Sequence, residues 1–537
     1  MSEPSISPEI KEALSQQGKT DLTKGIQHRF ESDDGRAERF SYDLKDVFFD
    51  FSKTHISDEL LKTYLQFAKE VDLESKRHAL FSGEKINITE GRSVLHPLLR
   101  DAQNQGITTD EDLTDQAINA RDKFFQQCEK IEASLSARQT PVRSIIHVGI
   151  GGSVLGTQLL YEALKRLTNE IKIHFVSNID GHQLMTVLAQ CEPSKTIVIG
   201  VSKTFTTQET KQNLNSISDW YEQAEITDYK QYFYAVSASP KDAISFGIKA
   251  DNVVDFPQWV GGRYSVWSAV SLSSVIVLGK AKFEEFLSGG ALIDQHFYKT
   301  NLADNVCFIA AMLDHYSTNF LQTSSKAIFA YDARLEKLVD YLQQLETESN
   351  GKDRQLDGSL VDQKTSPVVW GGVGTDVQHS VFQMLHQGSA VIPAEFIMIK
   401  KPDHKLEQHH KTLLANGVAQ TAALLTGQDI DTVRQIHASE KLSESVLKSK
   451  VFSGERPSST ILVNKLTPKS LGMLLAFYEH RVFCNGVFTN INSYDQMGVE
   501  LGKRLANEVL PNLNNKETNE LQDFDQSTQQ LINLLND

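Results

Sequence analysis

From residue 143 onward, short apolar, β-branched runs alternate with helical stretches, and this alternation constrains the fold more than any other feature. The first series is Ser144–Ile150, Ile173–Val176, Thr196–Val201, Tyr232–Val236 and Val253–Phe256. Strands buried on both faces read as continuous apolar runs, and parallel neighbours need long crossovers, usually helices. The pattern therefore predicts a parallel sheet with helices on both faces. After a helical stretch over 263–320, a second series follows: Ala327–Tyr331, Pro367–Trp370, Phe396–Ile399 and Ser459–Val463.

Two α/β units are expected, at 106–280 and 281–510. The chain's 537 residues exceed the ~100–200 of one domain. Residues 1–105 read as a mostly helical region packing on the larger unit. Residues 511–537 are rich in Asn, Gln and Asp and end in the apolar Leu531–Leu535, so they read as an arm that docks on another surface.

A net charge of −15 argues against general affinity for nucleic acid or an acidic membrane. An anionic substrate would need local compensation. Cys128, Cys191, Cys307 and Cys484 have neither CxxC spacing nor the density of a disulfide framework. The start, MSEPSISPEIKEAL, lacks a signal-peptide pattern, and no apolar run reaches the ~18–20 residues of a membrane span. A cytoplasmic location is expected. His404, His409 and His410 lie close together, but adjacent helix residues diverge by ~100° and no acidic cluster accompanies them, so a surface position and no metal are expected.

Six blocks could carry chemistry. His147-Val-Gly-Ile-Gly-Gly152-Ser153 follows a predicted strand and precedes a helix, where glycines permit close backbone approach to an anion. It matches neither GxGxxG nor the Walker pattern. Ser202-Lys203-Thr204-Phe-Thr206-Thr207-Gln-Glu209-Thr210 places five hydroxyls at another strand-to-helix turn. Thr206 and Glu209 have capping-box spacing, but a cap needs one hydroxyl rather than five. Gly261-Gly-Arg263-Tyr-Ser suggests a guanidinium aimed at an oxyanion, or a structural ion pair. Glu348-Ser-Asn-Gly351 ends a helix whose apolar stripe is Leu335, Leu338, Val339, Leu342 and Leu345. Glu348 then faces the negative end of the dipole, a setting for a general base, although a solvated glutamate fits the pattern alone better. Gly374-Thr-Asp-Val-Gln-His379 leads from a strand to a helix and offers a proton shuttle or a first-turn polar residue. In Tyr494-Asp-Gln496-Met-Gly-Val-Glu-Leu-Gly-Lys503, the seven-residue spacing would put Gln496 and Lys503 on one helix face.

Together these blocks resemble the glucose-6-phosphate isomerase (phosphoglucose isomerase) family over residues 45–510. The stretches Gly83-Glu-Lys-Ile-Asn-Ile-Thr-Glu-Gly-Arg-Ser-Val-Leu-His96 and Phe452-Ser-Gly-Glu-Arg-Pro-Ser-Ser-Thr-Ile461 add to the likeness. The resemblance implies two sugar-isomerase domains of flavodoxin-like topology, no cofactor, and a homodimer. It implies that Gly152, Ser153, Ser202, Thr204 and Thr207 bind a sugar 6-phosphate, with Lys203 nearby and Gln496 on the substrate. Glu348 would be the base and Arg263 would stabilise the enediolate. His379, from the partner subunit, and Lys503 would open the ring, with Glu209 orienting the histidine. Val154, Gln258, Thr347, Gly372–Val373 and Asp376–Val377 depart from the family's usual residues and bear on fine geometry. Three other readings stand beside it: a sugar-phosphate sensor, a nucleotide-dependent oxidoreductase, and a metal-dependent isomerase.

Overall fold

The computed structural model describes residues 6–100, 111–514 and 524–536. By its contacts the chain divides after Ser493.

In the first unit, the hairpin strands β1 (Ser41–Asp43) and β2 (Val47–Asp50) come from the N-terminal region. Five strands follow: β3 (Ser144–Val148), β4 (Lys172–Val176), β5 (Thr196–Val201), β6 (Phe233–Ser237) and β7 (Val253–Asp255). They form a parallel sheet in the order β4-β3-β5-β6-β7. Then come β8 (Ser325–Tyr331), β9 (Val368–Val373), β10 (Ala394–Lys401) and β11 (Ser458–Lys465). The second sheet runs β1-β2-β11-β10-β8-β9, parallel except for the hairpin, which pairs antiparallel with β11. Each predicted run lies on a strand, shifted by a few residues. The α/β class follows from the alternation, and the order of the first sheet is the flavodoxin-like one that the resemblance implies.

The strands β3, β5, β6 and β8 are buried on both faces because they are largely apolar on both. Ile146, Val148 and Val198 pack against Leu214, Ile217 and Tyr221 in the first core. Phe329, Tyr331, Phe396 and Met398 pack with Phe382 in the second. Each such side chain contributes on the order of 1.5–3 kcal/mol of burial.

The N-terminal region, read as mostly helical, also supplies β1 and β2. These strands are too short to register as a periodic run, and β2 is held by its backbone pairing to β11. The expected boundary at 105/106 lies outside the described residues. In the second unit, the helix Glu500–Asn514 passes through the expected boundary at 511, with Pro511 inside it. Gln526–Asn536 is helical, and its Asn536 Nδ2 donates to Asn512 O at 2.9 Å. No helix among the described residues is long and apolar enough to cross a membrane.

The helix Pro468–Phe488 is buried all round and carries three consecutive charged or titratable residues. Glu479 accepts from Arg100 NH2 at 2.6 Å and Trp267 Nε1 at 2.8 Å. His480 Nε2 lies 2.6 Å from Asp294 Oδ1. Arg481 donates through NH2 to Asp314 Oδ1 at 2.6 Å and through NH1 to Glu395 Oε2 at 2.8 Å. Burial alone would raise Glu395, but Arg481 and Lys326 outweigh it and hold the carboxyl at about 2. The unfolded value is about 4.3, so this pairing stabilises the fold above that pH and is lost as pH falls toward 2. Arg481→Ala is expected to cost roughly 3–5 kcal/mol near neutral pH, because it leaves two carboxylates buried without their guanidinium. Thermal unfolding checks it, and the deficit should shrink below pH 4.

Candidate active site

Ligands of open parallel sheets sit at the carboxyl ends of strands, where the strand order reverses. In the first sheet that point lies between β3 and β5, and both glycine- and hydroxyl-rich turns emerge there. His147, at the end of β3, is fully buried. Its Nε2 donates to the carbonyl of Ser153 at 2.8 Å, and its Nδ1 accepts from Ser273 Oγ at 2.8 Å. Burial lowers its pKa to about 4, so the ring is neutral and has the one donor and one acceptor this arrangement needs. His147 thereby fixes the turn carrying Gly152 and Ser153. A Cβ at Gly152 would stand 2.2 Å from the carbonyl carbon of Gly262 and 2.6 Å from Arg263 N, so only glycine lets the two turns touch. Ser265 Oγ donates to Gly152 O at 3.0 Å and locks them together.

The hydroxyl turn is built differently from a capping box. The helix Gln208–Gln223 has Thr207 at its N-cap, and no side chain caps it. Ser202 Oγ and Thr207 Oγ1 lie 3.0 Å apart, and Thr204 Oγ1 and Thr206 Oγ1 lie 2.6 Å apart. The capping reading of Thr206 and Glu209 thus fails, because the helix begins one residue later than that spacing requires. Phe205 N donates to Ser202 Oγ at 3.1 Å, which folds the turn back on itself. Lys203 Nζ donates to Val260 O at 3.0 Å. Burial, reinforced by Arg92 and Arg263, lowers its pKa to about 8.

Glu348 lies in the last turn of the helix Leu338–Asn350, as the stripe predicted. Leu335, Leu338, Val339, Leu342 and Leu345 are all buried. Gly351 closes the helix without a left-handed turn. It is needed because a Cβ there would stand 2.4 Å from Thr347 O. Arg263 is 3% exposed. Its Nε donates to Ser349 Oγ and its NH2 to Ser493 O, both at 2.6 Å. Its NH1 faces Glu348 Oε2 at 3.6 Å. That carboxylate oxygen is buried and accepts no hydrogen bond from the described residues. A guanidinium and a carboxylate are therefore held side by side, with the guanidinium fixed by two further hydrogen bonds.

Other expected residues are placed less tightly. His379 ends a single turn, Asp376–His379, after the edge strand β9 and is exposed. Glu209 is half-buried in the first turn of its helix. Among the described residues, neither has a hydrogen-bonded side-chain partner. Lys503 lies in the second unit on the helix Glu500–Asn514, exposed, donating to Glu500 Oε1 at 2.9 Å. Gln496 does not share that helix. It precedes the short turn Met497–Val499, and the helix begins only at Glu500, so the common-face expectation fails. His410, expected at the surface, is buried, and its Nε2 is satisfied there by Lys400 O of β10 at 3.1 Å. His404 and His409 are exposed, and no group of three or more potential metal ligands occurs among the described residues. All four cysteines are free. A cavity of about 630 Å³ lies elsewhere, by Pro141, Ile171 and Lys282 near the amino ends of β3 and β4, and holds none of the expected residues.

The model of the family described as phosphoglucose isomerase matches residues 50–532. The chain belongs to the phosphoglucose isomerase family. It is 42% identical over 513 residues to a glucose-6-phosphate isomerase of Paraburkholderia phymatum, covering 93% of this chain and 92% of the relative. It is 39% identical to that of Francisella tularensis, covering 94% and 96%. The crystal structure of a glucose-6-phosphate isomerase from Chlamydia trachomatis superposes with a TM-score of 0.84 at 29% identity, covering 98% of each chain.

The sequence reading of this family member gave no roles to His147, Tyr264, Ser349 and Asn350. Each stood inside a block already singled out, but their partners lie 85 to 143 residues away in the cases of Tyr264–Ser349 and Asn350–Ser493. For Lys203, inorganic phosphate should bind most tightly below pH 8 and weaken roughly tenfold above it, as the ammonium is lost. Calorimetric titration against pH checks this, and Lys203→Met should flatten the profile.

Proposed function

We propose that Glu348 carries a proton between C2 and C1 of a sugar 6-phosphate in this aldose–ketose isomerase, which interconverts glucose 6-phosphate and fructose 6-phosphate. The observation that carries this assignment is the 3.6 Å approach of Arg263 NH1 to the buried Oε2 of Glu348, which accepts no hydrogen bond among the described residues. A C2 proton is very weakly acidic. Its removal needs a positioned base and a cation where negative charge develops on O1 and O2. Glu348 and Arg263 supply both, and the same carboxyl returns the proton to C1 through a cis-enediolate.

Gly152, Ser153, Ser202, Thr204 and Thr207 hold the 6-phosphate, with Lys203 beside them. The phosphate is remote from the reacting carbons, and its binding energy orients the sugar for the chemical step. His379 and Lys503 open the sugar ring by moving protons at O5 and O1. Gln496 contacts substrate. His379 reaches in from the partner subunit of a homodimer, where Glu209 orients it. The exposure of His379 and a Glu209 side chain with no hydrogen-bonded partner among the described residues support this arrangement. The reaction uses no cofactor, and the four free thiols agree with a cytoplasmic setting. The sensor reading would need none of the Glu348–Arg263 pairing.

Glu348→Gln keeps the shape of the side chain and removes the base. Isomerase activity on fructose 6-phosphate is expected to fall by about three orders of magnitude, with phosphate binding retained. Activity within tenfold of the parent would reject Glu348 as the base. A parent that binds sugar phosphate without turning it over would favour the sensor.

A further inference from the structure

A guanidinium can rotate about its long side chain, and only its neighbours decide which nitrogen faces the reacting atoms. Here Ser349, adjacent to Glu348, makes that decision. Its Oγ is fully buried and accepts from Arg263 Nε at 2.6 Å. A serine hydroxyl has a single rotatable proton, so it needs a second partner to hold it in register. Tyr264 OH is that partner, at 2.9 Å.

Tyr264 is itself buried. Its ring stacks on His96 at 4.6 Å with planes 24° apart. His96 Nε2 lies 3.4 Å from Glu479 Oε2, and Glu479 is held by Arg100 and Trp267. Burial pushes the Tyr264 phenol up to about 12, so it keeps its proton near neutral pH. A second path runs through the next residue. Asn350 Nδ2 donates to Glu346 Oε1 at 3.1 Å and Val482 O at 3.0 Å, and its Oδ1 accepts from Ser493 Oγ at 2.7 Å. The carbonyl of that same Ser493 accepts from Arg263 NH2. Glu348, Ser349 and Asn350 thus occupy one helix turn: the first faces Arg263, the second holds its Nε, and the third fixes the segment that holds its NH2.

We propose that Ser349, with its hydroxyl held by Tyr264, is a positioning residue that sets the Arg263 guanidinium against the reacting oxygens. The inference rests on the proposed role of Arg263. Binding of the phosphate does not pass through Ser349, so its loss should lower kcat and leave KM nearly unchanged.

The test is a double-mutant cycle of Ser349→Ala and Arg263→Lys, with kcat and KM measured on fructose 6-phosphate. Ser349→Ala is expected to lower kcat by about tenfold to a hundredfold, the scale of a small misplacement, with KM within about threefold. Arg263→Lys should lower kcat further, and the double variant should be no worse than Arg263→Lys within about threefold, because Ser349 acts only through Arg263. Multiplicative losses would overturn the positioning role while leaving that of Arg263 intact. A parental kcat in Arg263→Lys would overturn the role of Arg263 and this inference with it. Should Ser349→Ala fail to fold, Tyr264→Phe is read in the same cycle. It removes one hydroxyl, keeps the ring stack, and is expected to show the same non-additive loss of kcat.

Discussion

The geometry of this site depends on one guanidinium whose nitrogens are committed to different tasks. Arg263 gives Nε to a side chain and NH2 to a main-chain carbonyl, and it turns NH1 toward Glu348. A flexible cation would lose several rotamers' worth of entropy on reaching its target, whereas a pinned one has lost it on folding. Much of the surrounding fold serves that end. The touching turns at Gly152 and Gly262 set where Arg263 leaves its loop, and the helix ending at Asn350 sets where Glu348 stands.

The helix Pro468–Phe488, buried along its length except at Lys469, carries much of the support. It holds Glu479, which anchors the His96–Tyr264 stack, and Arg481, which ties Asp314 to Glu395 of β10. Buried ion pairs are weak evidence of net stability, because desolvation offsets the attraction. Their directional bonds nevertheless link elements far apart in sequence. Arg100 bonds Glu479 across 379 residues, joining the N-terminal region to this helix.

The parallel sheets were legible in the sequence because strands buried on both faces must be apolar throughout, and β5 is apolar from Ile197 to Val201 save for Gly200. Glu348 was legible as a helix-end residue from its stripe and glycine. The hairpin β1–β2 was not, because such short strands owe their form to pairing with β11. The face shared by Gln496 and Lys503 was misread because spacing cannot show where a helix begins. The capping reading of Thr206 failed for the same reason. Tyr264 and Ser349 stood beside recognised residues, yet their contact joins positions 85 residues apart, and no local pattern records it.

The central claim is proton transfer through an enediolate rather than migration of hydride. It is tested most directly by following glucose 6-phosphate deuterated at C2 through many turnovers in ordinary water. The account predicts a slowed chemical step and progressive loss of deuterium to solvent, since the proton resides on Glu348 between carbons. Complete retention of the label at C1 of fructose 6-phosphate would contradict it.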